Sequence, residues 1–329
     1  MTEELIDNPT RRFVSNSELQ AFKGCRRRWY LTYVRGLKAK RVREHGPLPL
    51  GNRVHAALEL GEGGGVVPAL AEYDRLADAG RARLDPNWDD QKAFEKENDM
   101  GRLMVEGYYE WLAETGMDQG VEVVSVEEAL STSLELFTHD GLEVFLLGKM
   151  DKRVRDPFSK QIRFMDYKTT KAFTDVSSTL QLNEQLKTYG LLERRNLAEG
   201  EEPATGAVFE LLRKVGRSAS SKPPFYKREE IAYSETELRS FWFRLREEVQ
   251  DLVRVEERIA EGVSHAAAAY PRPSRDCTWI CPYFSGCHMF DDGSDVEAWL
   301  EDNFEATDPL LRYRDENRHP DNEGPANDN

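Results

Sequence analysis

Apolar residues recur through the first third of the chain at helical intervals. Ser15 and Glu18 read as a capping box, and Leu19, Phe22, Trp29, Tyr30 and Tyr33 follow at the right spacing, which predicts a helix over residues 15–34. Residues 35–49 are basic and loop-like, residues 50–60 read as a short helix ending in the flexible run GEGGG, and Leu103, Met104, Tyr108, Trp111 and Leu112 mark a longer helix across residues 90–115. At Val121 the period changes. VEVVSVEEAL and STSLELFT read as strands, LEVFLLGKMDKRV follows an Asp140-Gly141 hairpin turn, and QIRFMDYK forms another strand after a turn at Asp156-Pro157. Residues 180–194 then read as a helix, GAVFELLRK as a buried strand, FYKREEIAY as a further strand, and residues 234–261 as a long amphipathic helix.

This order predicts the α/β class, with a mixed sheet core flanked by helices. Five segments are expected: a flexible N-terminus over 1–12, a helical arm carrying Cys25 and His55 over 13–120, the α/β core over 121–270, a cysteine-bearing segment over 271–290, and an acidic, largely disordered tail over 291–329.

Composition excludes several classes. A chain of 329 residues can bury a sizeable core without a disulfide framework. The longest apolar runs, such as VFLLG at 144–148, are too short to cross a bilayer. The start MTEELIDNPT is acidic and polar, unlike a signal peptide, so a cytoplasmic protein with no membrane partner is expected. Net charge is −15, but residues 291–329 hold 13 acidic and 3 basic residues, while residues 11–53 hold 12 Lys and Arg against Glu18 and Glu44. A basic block on a near-neutral body can track phosphates, or it can be a solvated helix face.

The stretch GKMDKRVRDPFSKQIRFMDYKTT carries the most chemistry. Asp151 stands near the end of one predicted strand, and Asp166, Tyr167 and Lys168 end the next. Residues i and i+2 of a strand share a side, so Asp166 and Lys168 face together. Adjacent strand ends can bring Asp151 and Asp166 close enough to share a hard divalent cation, Mg²⁺ or Mn²⁺, with the Tyr167 carbonyl as a further ligand. Lys168 could then orient or deprotonate an attacking water and offset transition-state charge. Asp-x-Lys alone also fits an ion pair at a strand edge. Against that, the motif ends a hydrophobic strand, and burying carboxylates together is costly without a cation. Glu127 and Glu128 are weaker candidates for a metal or water contact.

Cys25 lies in the N-terminal helix, and Cys277, Cys281 and Cys287 follow a C-x3-C-x5-C spacing. Four thiols divided in this way fit a zinc site or a [4Fe–4S] cluster, and spacing alone does not separate the two. Either would staple the N-terminal arm to the far end of the chain. Around Cys25, Arg26, Arg27 and Arg28 run into Trp29 and Tyr30, a mixture suited to single-stranded DNA. We assign the arginines to DNA and the rings to packing.

Asp151 followed by Asp166-x-Lys168 resembles the catalytic signature of the PD-(D/E)XK nuclease superfamily. Other stretches resemble its RecB-like branch, which includes CRISPR-associated iron–sulfur exonucleases. GNRVHAALE is similar to that branch's first motif, whose histidine is here His55, and NEQLKTYGLL to its Gln-x-x-x-Tyr motif, here Gln185 and Tyr189 on one helical face. The branch also has one cysteine before and three after these motifs, although Thr278, Trp279 and Ile280 stand where it usually has two residues.

The resemblance spans residues 13–290. It implies a restriction-endonuclease-like fold and Mg²⁺ or Mn²⁺ held by His55, Asp151, Asp166 and the Tyr167 carbonyl. Catalysis would fall to Asp151, Asp166 and Lys168, with Gln185 and Tyr189 on a phosphate or base, and a structural [4Fe–4S] cluster to Cys25, Cys277, Cys281 and Cys287. The implied activity is that of a DNA exonuclease acting on single strands or ends, with room for a separate helicase, recombination or CRISPR partner. An iron–sulfur helicase would need a P-loop, G-x-x-x-x-G-K-[ST], and none occurs. A non-catalytic DNA-end-binding module, stapled by iron–sulfur or zinc, predicts loss of Asp151, Asp166 or Lys168, and all three are present.

Overall fold

The computed structural model describes residues 6–41, 43–84, 88–217, 220–278 and 280–314, except the side chains of Trp88, Glu127, Glu128, Asp151 and Arg312. Its first element is a strand, β1 (Arg11–Ser15), which buries Phe13, Val14 and Ser15 in succession. Three consecutive buried positions have no period of two, so the sequence pattern hides the strand. Within the segment expected to be flexible, 1–12, Ile6 packs with Phe13, Leu147 and Tyr313, and β1 begins at Arg11. Residues 1–5 lie outside the described residues.

The Ser15 hydroxyl accepts from the Glu18 amide at 3.2 Å and starts α1 (Asn16–Gly24). The Glu18 carboxylate does not close the capping box. It is buried, accepts from the Trp29 indole N–H at 3.1 Å and pairs with Arg12. Backbone at Cys25 is extended, so the single predicted helix is broken there and resumes as α2 (Arg26–Trp29), which runs into a π-helical turn to Val34.

Next come β2 (Leu37–Ala39), α3 (Pro47–Leu60), α4 (Val66–Arg83) and α5 (Trp88–Thr115). The glycine run is a hydrogen-bonded reversal between α3 and α4. The Gly64 and Gly65 amides return to the Gly61 carbonyl at 3.2 and 2.8 Å, and Gly63 and Gly65 take φ values of 77° and 79° that favour glycine.

The core consists of β3 (Glu122–Phe137), one long strand where two were expected, then β4 (Glu143–Arg155), β5 (Ile162–Thr170), α6 (Phe173–Ser177), α7 (Glu184–Asn196), β6 (Gly206–Arg213), β7 (Tyr226–Ala232) and α8 (Glu235–Ala260). Beyond it lie α9 (His265–Ala268), α10 (Met289–Asp292), α11 (Val296–Asn303) and β8 (Phe304–Ala306).

Six strands form one mixed sheet in the order β1-β4-β5-β6-β7, with β3 on the other edge of β4. Parallel β1 occupies the first half of β4 (Arg11↔Glu143 to Ser15↔Leu147), and antiparallel β5 the second (Lys152↔Met165 to Arg155↔Ile162). β5 and β6 are parallel, joined through α6 and α7, and β7 closes antiparallel on β6.

Helices cover both faces. Phe22 and Trp29 of the arm, Leu186 and Tyr189 of α7, and Phe241 and Leu245 of α8 pack with Phe164, Phe209 and Leu211. Leu50 and Val54 of α3, Tyr73 of α4 and Tyr108 of α5 pack with Tyr167, Leu212 and Tyr226. Alternate residues of β5 therefore serve opposite cores.

The first part of the segment expected as an acidic, largely disordered tail, 291–329, carries α11 and β8. β8 pairs antiparallel with β2, and Leu300 and Phe304 pack on Leu31 and Tyr283. Arg35 forks onto Glu297 through two contacts of 2.8 Å, and the Tyr283 hydroxyl donates to the Leu37 carbonyl at 2.7 Å. Few apolar residues in an acidic segment suffice to fold it when a partner surface exists. Residues 315–329 lie outside the described residues. Among the described residues, no helix is long and apolar enough to cross a membrane.

Candidate active site

The alternation of β5 fixes the site. Phe164 meets the Tyr189 ring with centroids 6.1 Å apart, and Asp166 and Lys168 continue along the same side of the strand. Asp166 is only 6% exposed, while Lys168 is half-buried with its Nζ 6.0 Å from the centre of the Phe209 ring. In β4, Lys152 pairs with Met165; Asp151 immediately precedes Lys152 and Asp166 immediately follows Met165. The antiparallel ladder thus carries the two acidic positions to the same level of the sheet. The Asp151 side chain, like those of Glu127 and Glu128, lies outside the described residues.

His55 comes from α3, beside buried Val54 and at the margin of the helix's apolar face. Its Nε2 stands 3.7 Å from Asp166 Oδ1, its Nδ1 3.2 Å from Glu59 Oε1, and its ring meets the Tyr167 ring edge-on at 5.7 Å. A separation of 3.7 Å is too long for a hydrogen bond and short enough for both atoms to reach one small cation. Carboxylate, imidazole and backbone carbonyl are hard or borderline donors that suit Mg²⁺ or Mn²⁺. Among the described residues, no group of three or more His, Cys, Asp or Glu stands ready to hold a metal.

Asn183 caps α7 by accepting from the Leu186 amide at 3.0 Å, and this helix carries the next pair. Gln185 Nε2 donates to the Tyr189 hydroxyl at 2.9 Å, so the two share a face as the spacing predicts. The Tyr189 ring is 7% exposed and engaged in packing, which leaves the hydroxyl as its polar end.

Two acidic residues next to the site went unnoticed in the sequence. Glu62, in the turn after α3, accepts from the Tyr167 hydroxyl at 3.1 Å and pairs with Lys152 Nζ at 3.0 Å. Its position inside a glycine run concealed it. Glu210, opposite Tyr167 in the β5–β6 ladder, is fully buried. Burial pushes its carboxyl up to about 7 despite its pairing with Arg228, which also binds Asp118. A charged residue inside the apolar run GAVFELL was the available signal.

The four cysteine sulfurs each face an N–H. The amides of Arg272 and Ser274 reach Cys25 and Cys277, both at 3.4 Å, the Arg27 guanidinium reaches Cys287 at 3.5 Å, and the Tyr283 backbone serves Cys281. Burial pushes the Cys281 thiol up to about 11, and the nearby Cys25 and Cys287 add to the shift.

The basic block is less available than its charge suggests. Arg27 is 3% exposed and forks onto Asp291, contrary to its assignment to DNA, whereas Trp29 is fully buried as expected. Arg12 pairs with Glu18 and Glu256, Lys23 with Glu184 and Glu248, Arg35 with Glu297 and Lys38 with Glu305. Arg26 lies over the Phe22 and Tyr270 rings.

The sequence profile of the PD-(D/E)XK nuclease superfamily matches residues 14–288, a span that includes His55, Asp151, Asp166, Lys168, Gln185, Tyr189 and the four cysteines. No curated protein matches the chain.

Proposed function

The chain belongs to the PD-(D/E)XK nuclease superfamily, and from that premise we propose that it is a metal-dependent DNA exonuclease of the RecB-like, iron–sulfur type, acting on single strands or ends. The observation that carries the proposal is the approach of His55 Nε2 to Asp166 Oδ1 beside the Lys168 strand end.

Mg²⁺ or Mn²⁺ would be held by His55, Asp151, Asp166 and the Tyr167 carbonyl, and when bound it supplies Lewis-acid polarisation of the phosphodiester. Glu59 holds Nδ1 of His55, which directs Nε2 toward Asp166. Lys168 orients the attacking water and offsets the negative charge that builds on the phosphoryl oxygens. Gln185 fixes the Tyr189 hydroxyl, which binds a phosphate oxygen of the substrate. Water attacks phosphorus and gives up a proton to solvent, the bond to the leaving oxygen breaks in line, that oxygen takes a proton from solvent, and a nucleotide departs.

Cys25, Cys277, Cys281 and Cys287 are the ligands of a structural [4Fe–4S] cluster in this reading. Support comes from the N–H donors at the sulfurs. Zinc is the rival occupant of the same thiols. A helicase or recombination protein would deliver the DNA end. Loss of metal-dependent DNA cleavage on Asp166→Ala tests the central reading.

A further inference from the structure

Glu62 occupies an unusual junction. Its Oε1 accepts from the Tyr167 hydroxyl at 3.1 Å and lies 3.0 Å from Lys152 Nζ. Tyr167 stands between Asp166 and Lys168 in β5, Lys152 directly follows Asp151 in β4, and Glu62 itself sits in the turn closing the helix that bears His55. One carboxylate therefore ties together the three elements that carry the candidate metal ligands. The Lys152 side chain is 9% exposed and that of Glu62 17% exposed, so both charges are largely removed from water and depend on each other. The turn amide hydrogen bonds to the Gly61 carbonyl hold this segment against α3.

We propose that Glu62 is a positioning residue of the nuclease centre, setting the relative placement of β4, β5 and α3 so that Asp151, Asp166 and His55 meet one cation. The inference rests on the nuclease reading above. Glu62 touches neither metal nor substrate in this account and acts through Tyr167 and Lys152.

The test uses the full-length protein with Mn²⁺ as the probe. Binding is followed without DNA by the electron paramagnetic resonance of free Mn²⁺, and turnover is followed on end-labelled single-stranded DNA. Loss of a supporting contact of this kind costs about 10-fold or more in metal affinity, so Glu62→Ala should weaken Mn²⁺ binding by about that factor and lower kcat similarly, with KM for DNA nearly unchanged. Glu62→Gln keeps an acceptor for Tyr167 but gives up the charge facing Lys152, and should fall between the two. Tyr167→Phe removes the hydroxyl alone and should also weaken Mn²⁺ binding. If Glu62→Ala does not fold, the Gln and Phe variants decide. A lowered Tm with wild-type Mn²⁺ affinity in the folded variants overturns the inference and leaves Glu62 a structural ion pair. A wild-type protein that neither binds Mn²⁺ nor cleaves DNA overturns the nuclease reading itself, and this inference with it.

Discussion

His55 Nε2 and Asp166 Oδ1 stand 3.7 Å apart, although one residue belongs to a helix of the N-terminal arm and the other to the central strand of the sheet. The candidate centre is thus assembled between arm and core. The same helix is tied down by burial of Leu50, Val54, Ala57 and Leu58 against α4 and α5, which gives the imidazole a rigid base.

Lys168 shares one side of β5 with Asp166, and the account gives it a role in the chemical step, not in holding DNA. Lys168→Ala should lower kcat by about 100-fold or more, the scale for removing one group that stabilises transition-state charge. DNA binding, read by fluorescence anisotropy, should stay nearly unchanged. Equal loss of binding and cleavage would show that Lys168 holds substrate instead.

Glu210 supplies a pH dependence with a defined sign. Burial raises its folded-state value to about 7, above the ordinary value of about 4.3 in an unfolded chain. Folding therefore takes up a proton between these values, and the stabilisation is complete below the lower one and lost as pH rises through about 7. The full effect is on the order of 4 kcal/mol. Between pH 5 and pH 8, the Tm of the wild type should fall by roughly 5 °C relative to Glu210→Gln, which has no proton to lose there. Parallel Tm profiles for the two proteins would show that Arg228 keeps Glu210 ionised throughout.

Much of this arrangement was legible in the sequence because it rests on short-range periodicity. The i, i+2 relation of Asp166 and Lys168 and the i, i+4 relation of Gln185 and Tyr189 follow from strand and helix geometry, and both elements form where the pattern predicts. Elements defined by distant partners were not legible. β1 is recognisable only once β4 is beside it, and β8 only against β2. α11 reads as acidic tail until Leu300 meets Leu31 and Tyr283. The basic block misleads for the same reason: the carboxylates that neutralise Arg12 and Lys23 come from α7, α8 and Glu18.

That pairing has a consequence for DNA affinity. Arg35 is held by Glu297 in a two-point fork, so Arg35→Gln should leave the salt dependence of single-stranded DNA binding unchanged. A phosphate contact at this position would instead flatten the slope of log K against log salt by about 0.7. A change of that size would return Arg35 to the DNA-binding surface.

Cys281 packs beside Tyr283, Leu300 and Phe304, where the arm meets the C-terminal segment. Cys281→Ala should lower both the metal content and the Tm of the whole protein. Protein purified without oxygen should carry iron and sulfide and absorb near about 400 nm. Zinc without that absorbance would assign the four thiols to a zinc site, and an unchanged Tm would end the stapling account.

The most direct measurement is the cleavage of end-labelled single-stranded DNA by anaerobically prepared protein with Mn²⁺ or Mg²⁺, run beside Asp166→Ala. The account predicts a metal-dependent ladder of shortened products that disappears in the variant while the variant still binds DNA. Intact DNA in every lane of the metal-loaded wild type would contradict it, and would leave the protein a DNA-end-binding module built on a nuclease fold.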